Sequence, residues 1–106
     1  DYLQNMQILV GNKYDVDMIN GYYMDPVSST SLEIRKLSDD SLIDTLVSNF
    51  TQGINITLKY EDDTILVINR GNTVTIPRVG GAIGFRNETG GTTLDFKASL
   101  TSYNRD

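Results

Sequence analysis

Apolar residues recur at every second position along several short segments of this chain. A period of two is typical of a β-strand, in which successive side chains point to opposite faces of the sheet. The segments with this alternation, or with a short apolar run bounded by turn residues, are 6–10, 14–19, 32–35, 54–60, 65–69, 73–77 and 94–100. Seven or eight short strands at this spacing predict a mainly β fold, either an antiparallel β-sandwich or a barrel.

Turn residues separate the predicted strands. The sequence EDDT at 61–64 joins two of them into a hairpin, and RGN at 70–72 turns the chain again. Pro77 has no backbone donor, so it marks a strand end or an edge strand. Two stretches, 20–31 and 78–85, are rich in Gly, Pro or hydroxyl residues, and we expect both to be connections rather than strands.

The alternating segments also predict a core. The residues expected to point inward are Leu94, Phe96, Ala98, Leu100, Ile54, Ile56, Leu58, Val74 and Ile76.

Residues 31–50, with the sequence SLEIRKLSDDSLIDTLVSNF, have two interpretations. The first half is a strand in both. In the second half the apolar residues fit a helical spacing, and two aspartates precede them where a helix N-terminus favours negative charge. The β-branched residues on one face of an extended chain, and the polar turn SDDS at 38–41, favour a hairpin instead. The local pattern leaves open a second strand over 42–47 or an α+β fold with one helix near residues 39–50.

Composition limits the partners. The net charge of −5 repels the phosphate backbone, so we expect no nucleic-acid partner. No apolar run approaches the roughly 18 residues that a membrane span needs, so we expect no membrane partner. A chain of 106 residues suits one domain, 1–106. It starts at Asp1 without methionine and stops at Asp106 without an obvious terminal element, so we expect a β-sandwich excised from a longer polypeptide.

The chain contains neither His nor Cys, the side chains most often used near neutral pH for base or nucleophilic catalysis. We therefore predict that it is not an enzyme, and we predict no cofactor. The acidic turns at 39–40 and 61–63 offer oxygen ligands for calcium, or they are solvated charges that keep the protein soluble. The spacing of an EF-hand is absent, and we predict no metal site.

A family resemblance covers almost the whole chain. The succession ILVGNKYDVDMIN, SLEIRKLSDDSLIDTL, GINITLKYEDDTILVI, NTVTIP and TTLDFKASLTS resembles the N-terminal sandwich modules of phage baseplate upper proteins and related tail or fibre proteins. The resemblance implies a mainly β fold, an immunoglobulin-like antiparallel β-sandwich that serves virion assembly, with no catalytic residues to carry over. It also favours the hairpin over the helix in the second half of 31–50.

Some large apolar residues fall in the two predicted connections, where neither period assigns them to a core face. Grouped apolar residues outside a core often mark an interface, and Tyr and Met are enriched at such surfaces. The predicted docking surface consists of Tyr22, Tyr23, Met24, Pro26, Ile83 and Phe85. The alternative for the adjacent tyrosines is that one ring packs into the sandwich edge while the other lies on the surface.

Two functions follow as hypotheses. The first is a non-catalytic assembly module of a phage tail, baseplate or fibre that docks onto neighbouring chains in the virion, with a homo-oligomer as the expected state. The second is an adhesion or carbohydrate-binding module of a viral or bacterial surface protein, located extracellularly or at the cell surface, because Tyr rings at loops suit sugar faces.

Overall fold

A computed structural model describes residues 6–11, 20–51, 55–80 and 82–87. Within these ranges the chain forms eight strands and no helix. The strands are β1 Met6–Gly11, β2 Tyr22–Ser28, β3 Ser31–Lys36, β4 Leu42–Val47, β5 Thr57–Tyr60, β6 Thr64–Asn69, β7 Asn72–Pro77 and β8 Ala82–Asn87. The predicted mainly β, antiparallel sandwich of seven or eight short strands is confirmed.

The strands form two antiparallel sheets. The larger sheet has the order β4-β3-β2-β1-β8 and the smaller sheet has the order β5-β6-β7. Among the eight described strands, consecutive ones are therefore neighbours within each sheet, except that β8 pairs with β1. Among the described strands, the edges of the larger sheet are β4 and β8, and β4 lies beside β7 of the smaller sheet.

One hydrophobic core lies between the sheets. The larger sheet contributes alternate residues of its strands, since Leu32 and Ile34 are fully buried while their neighbours in β3 are partly exposed. Phe50, which follows β4, is also fully buried. The buried members of this core are Ile8, Val10, Tyr22, Met24, Leu32, Ile34, Leu46, Phe50, Ile65, Val67 and Ile76.

The predicted core is confirmed in part. Ile76 is fully buried, and Ile56, Leu58 and Val74 are partly buried against the core. The remaining predicted core residues, Ile54, Leu94, Phe96, Ala98 and Leu100, lie outside the described residues, as do the predicted strands over 14–19 and 94–100.

Residues 31–50 form a hairpin. β3 and β4 pair antiparallel, and the polar turn between them is fixed by the Lys36 amide, which donates to the Ser41 carbonyl at 3.0 Å. The predicted extension of 42–47 is confirmed, and the helix near 39–50 does not form. The register shifts between Ile34 and Arg35, which places a β-bulge in β4.

The prediction that 20–31 and 78–85 are connections is wrong, because both segments contain a strand. Residues 22–28 form β2, an interior strand of the larger sheet, and residues 82–87 form β8, an edge strand. Pro26 is accommodated because the described pairing of β2 with β1 covers 22–24, so Pro26 loses no partner among the described residues of β1 where its N–H is missing. A bulge between Pro26 and Ser28 further relaxes the pairing with β3.

The smaller sheet follows the prediction closely. EDDT turns the chain between β5 and β6, with the Glu61 amide donating to the Thr64 carbonyl at 2.9 Å. Asn69 faces Asn72 across a two-residue loop that joins β6 to β7. Pro77 ends β7, which is an edge strand among the strands that the structure describes, as its missing donor predicts.

Candidate functional site

The structure does not gather the predicted docking residues on one exposed surface. Tyr22 and Met24 point into the core with 4% and 0% exposure, and Pro26 is buried. Tyr23 points to the opposite face of the larger sheet and is only 8% exposed. The premise that these residues lie in a connection is therefore wrong, because regular strand alternation assigns each of them to a face of β2.

The remaining two predicted residues lie in β8. Ile83 is half exposed and faces Val10 of β1 in the sheet register. Phe85 faces Ile8 in the same register, and its side chain lies outside the described part of the structure. β8 is at the far edge of the larger sheet from β4, with β2 in the interior between them.

A different apolar surface lies on β4. Leu42 is 49% exposed and Val47 is 63% exposed. Leu42 faces Arg35 and Val47 faces Ser31 across the β3–β4 register, in the rows that point away from the core. We call Leu42 and Val47, with the neighbouring Glu33 and Arg35 of β3, the β4 surface.

The sequence held one signal for this surface. Leu46 and Val47 are adjacent apolar residues in a strand, so only one of them can face the core. Leu46 is buried and Val47 is exposed. The exposure of Leu42 has no such signal, because it depends on the bulge that shifts the register at the start of β4.

Charges on the β4 surface compensate one another. The Arg35 guanidinium donates from Nε and Nη2 to Glu33 Oε1 at 3.1 and 3.0 Å, and its Nη1 donates to the Asp40 carbonyl at 2.7 Å. Such an ion pair at the surface stabilises the fold little, but it fixes the orientation of the guanidinium. The β4 surface thus presents two apolar side chains beside a charge pair with no net charge.

The open side of β4 is blocked against backbone pairing. The Ser48 amide donates to the Thr30 carbonyl and therefore points toward the β3 side. Backbone amides alternate in direction along a strand, so the Thr45 amide, three residues earlier, points away from β3. The side chain of Asp44 accepts that outward amide at 2.7 Å. A carboxylate and a bulge are two common ways in which edge strands avoid pairing with another chain.

Hydrogen bonds join the end of β4 to the smaller sheet. The Ser48 hydroxyl donates to the carbonyl and side-chain oxygens of Asn69, and it accepts from Asn72 Nδ2 at 3.0 Å. Asn69, which is 5% exposed, also donates from Nδ2 to the Asn55 carbonyl. Buried polar groups that are satisfied in this way hold β4 in one position relative to β7.

A small cleft lies at the end of the sandwich where β2 begins and β3 ends. Its volume is about 250 Å³, slightly below the roughly 300–1,000 Å³ of most ligand pockets. The described residues that line it are Asn20, Gly21, Tyr22, Lys36, Ser38 and Val79. Burial raises the pKa of Tyr22 above its usual value of 10.0. The cleft therefore combines one cation, hydroxyl groups and one aromatic ring.

The acidic turns do not form a cluster. Within the described ranges, no three acidic side chains come together as a cation site would need. The pKa of the Asp39 carboxyl is lowered first by a hydrogen bond with the Ser41 side chain and then by the Ser41 amide, which donates to Asp39 Oδ1 at 3.0 Å. Among the residues that the structure describes, no helix is long and apolar enough to cross a membrane.

Searches against protein-family models, curated proteins and solved structures found no significant match to this chain.

Proposed function

We propose that this domain is a non-catalytic assembly module that docks onto a second copy of itself through the β4 surface. The setting we propose is a phage tail, baseplate or fibre, where copies of one chain repeat. That setting is supported by the sequence resemblance alone. The docking role is supported by the arrangement of side chains on β4.

The observation that carries the proposal is the exposure of Leu42 and Val47. Both are large aliphatic residues at opposite ends of a six-residue edge strand, and about half or more of each side chain is in water. Covering such residues is favourable by roughly 25 cal/mol for each Å² of apolar surface removed from water.

The mode of docking follows from the backbone of β4. Because Asp44 occupies the outward amide of Thr45 and the strand is bulged, addition of a strand to this edge is disfavoured. Contact through side chains is not affected by either feature. The partner therefore packs against Leu42 and Val47 rather than extending the sheet.

A second copy suits this surface electrostatically. The chain carries a net charge of −5, so two copies repel each other at most orientations. Glu33 and Arg35 neutralise each other within the β4 surface. A two-fold contact through this surface also brings the same patch to itself, as in most dimers. It is therefore a favourable place for two copies to meet.

Sedimentation velocity over a range of concentrations tests the proposal. The double variant Leu42→Ser, Val47→Ser should weaken self-association at least about tenfold, because it removes the apolar contact from both partners. Its melting temperature should change little, since both side chains are already exposed in the monomer.

The matched control is Ile83→Ser, which removes an equally exposed aliphatic side chain from the opposite edge of the sheet. This variant should associate as the unmodified chain does. A chain that stays monomeric up to about 1 mM contradicts the proposal. Equal weakening by the control and the double variant contradicts it too.

A further inference from the structure

The outer face of the β3–β4 hairpin is arranged in rows that each join one residue of β4 to one of β3. The rows, in order along β4, are Leu42 with Arg35, Thr45 with Glu33, and Val47 with Ser31. The exposed apolar residues therefore occupy the two outer rows, and the middle row is polar. Leu42 and Val47 are about 16 Å apart along the extended strand, so they do not touch each other. A partner must cover two separate apolar side chains.

Two copies that meet through this surface with two-fold symmetry have two limiting arrangements. If the axis runs along β4, the two strands are parallel, and each row meets the same row of the other copy. If the axis crosses β4 at its centre, the strands are antiparallel, and the first row meets the third. Both arrangements cover Leu42 and Val47, so side-chain size and charge decide between them.

Side-chain size favours the antiparallel arrangement. It places Leu42 on Val47 of the second copy at both ends of the contact, so a larger side chain meets a smaller one each time. The parallel arrangement places two leucines together at one end and two valines at the other. Packing is closest where large and small residues alternate across facing positions. The antiparallel arrangement therefore keeps the same spacing at both ends.

The charges of β3 favour the same arrangement. In the parallel arrangement the Arg35 row and the Glu33 row each meet themselves, so like charges are placed opposite each other twice, which is unfavourable. In the antiparallel arrangement the Arg35 row meets the uncharged Ser31 row. Only the Glu33 row then meets itself, and each Glu33 carboxylate accepts from Arg35 Nε and Nη2 of its own copy at 3.1 and 3.0 Å.

We propose that two copies of this domain meet with their β4 strands antiparallel, across a two-fold axis near Thr45, so that Leu42 of each copy packs on Val47 of the other. This inference rests on the proposed docking through the β4 surface and adds the orientation of the partner. A two-fold contact of this kind is closed, because each β4 surface is covered by the other. It joins two copies, and a larger assembly must use another surface as well.

Thiol-specific cross-linking between copies tests the orientation. The chain contains no cysteine, so a bismaleimide joins only introduced thiols. A reagent that spans about 10 Å matches the spacing of two packed faces and is shorter than the distance along β4 from Leu42 to Val47. In a mixture of Leu42→Cys and Val47→Cys, the mixed product should exceed either symmetric product about tenfold, because only the mixed pair holds two thiols together. The mixed pair also keeps one unmodified contact between leucine and valine.

Thr45→Cys separates this inference from the docking on which it rests. Its thiol lies nearest the axis, so it should cross-link to itself in either orientation, and faster than Ile83→Cys on β8. If it does so while the symmetric products of Leu42→Cys and Val47→Cys equal or exceed the mixed one, the antiparallel orientation is wrong and docking through β4 stands. If no variant or mixture cross-links faster than Ile83→Cys, both the docking and its orientation are wrong.

Discussion

Tyr23 is held on the solvent side of the larger sheet, where it is nevertheless almost fully buried. Its hydroxyl donates to Asp40 Oδ1 at 2.9 Å across the β3–β4 turn. Asp40 has a φ of 61°, a left-handed conformation that Asp tolerates better than most residues. The hydrogen bond therefore ties a side chain of β2 to the turn residue that reverses the chain.

This contact makes stability depend on pH in the alkaline range. The pKa of Tyr23 is raised from 10.0, first by burial and then by the hydrogen bond to Asp40 and its negative charge, while Arg35 acts in the opposite direction. The folded chain thus holds the phenol proton more tightly than the unfolded chain. The stabilisation is complete below pH 10 and is lost as the pH rises through the raised pKa.

Tyr23→Phe should cost about 1 kcal/mol of unfolding free energy at neutral pH, the usual contribution of one hydrogen bond. The difference from the unmodified chain should shrink as the pH rises above about 10, because only the unmodified chain loses the contribution of this phenol. Urea midpoints at several pH values measure it. Two stability curves that run parallel across that range would exclude the assigned role of Tyr23.

At the scale of elements, the sequence predicted most of the described strands and missed two of them, β2 and β8, while the predicted strands over 14–19 and 94–100 lie outside the described residues. The composition of residues 20–31, with Gly, Pro and hydroxyl residues, is typical of a loop, yet 22–28 form β2. Pro26 fits because it lies beyond the described pairing with β1, whose extent is set by another part of the chain. β8 contains Gly84 and forms because it pairs with all of β1. Tertiary pairing decided both elements, and local composition does not contain it.

The same limit applies to the site. Adjacent tyrosines in a strand point to opposite faces, so one of Tyr22 and Tyr23 has to face away from the core. The sheet register determines which of the two tyrosines faces away from the core, and it also determines that both are covered. The cleft joins residues from β2, β3 and the segment after β7, so no local pattern indicates it.

The β6–β7 hairpin offers a stabilising substitution. Its two loop residues, Arg70 and Gly71, have φ values of 50° and 83°, as a type I′ turn requires. Asn adopts this conformation more easily than Arg does. Arg70→Asn should therefore raise the unfolding free energy by a few tenths of a kcal/mol up to about 1 kcal/mol, measured by urea denaturation.

Gly71→Ala, in the same turn, should have the opposite effect and lower the unfolding free energy. A Cβ at Gly71 would meet no atom within 4 Å, so the expected loss of about 1–2 kcal/mol comes from the backbone conformation alone. A neutral Gly71→Ala, or a destabilising Arg70→Asn, would show that the turn is not of this type.

At the scale of the molecule, the β4 edge of the larger sheet combines a fixed backbone with exposed apolar side chains. β4 is fixed against the smaller sheet by the hydrogen bonds of Ser48, and its outward amide is occupied by Asp44. It still exposes Leu42 and Val47, which add nothing to the core of one chain. A strand held rigidly, protected from backbone pairing and apolar on its outer side is suited to specific contact with another copy.

Methyl NMR of the full chain at increasing concentration tests docking through β4 most directly. Between about 0.05 and 1 mM, the methyl signals of Leu42 and Val47 should shift progressively, while those of Ile83 on the opposite edge stay constant. The amide of Thr45 should keep its position, because Asp44 continues to accept it in the docked state. Shifts confined to Ile83, or no change at any methyl group across this range, would contradict docking through the β4 surface.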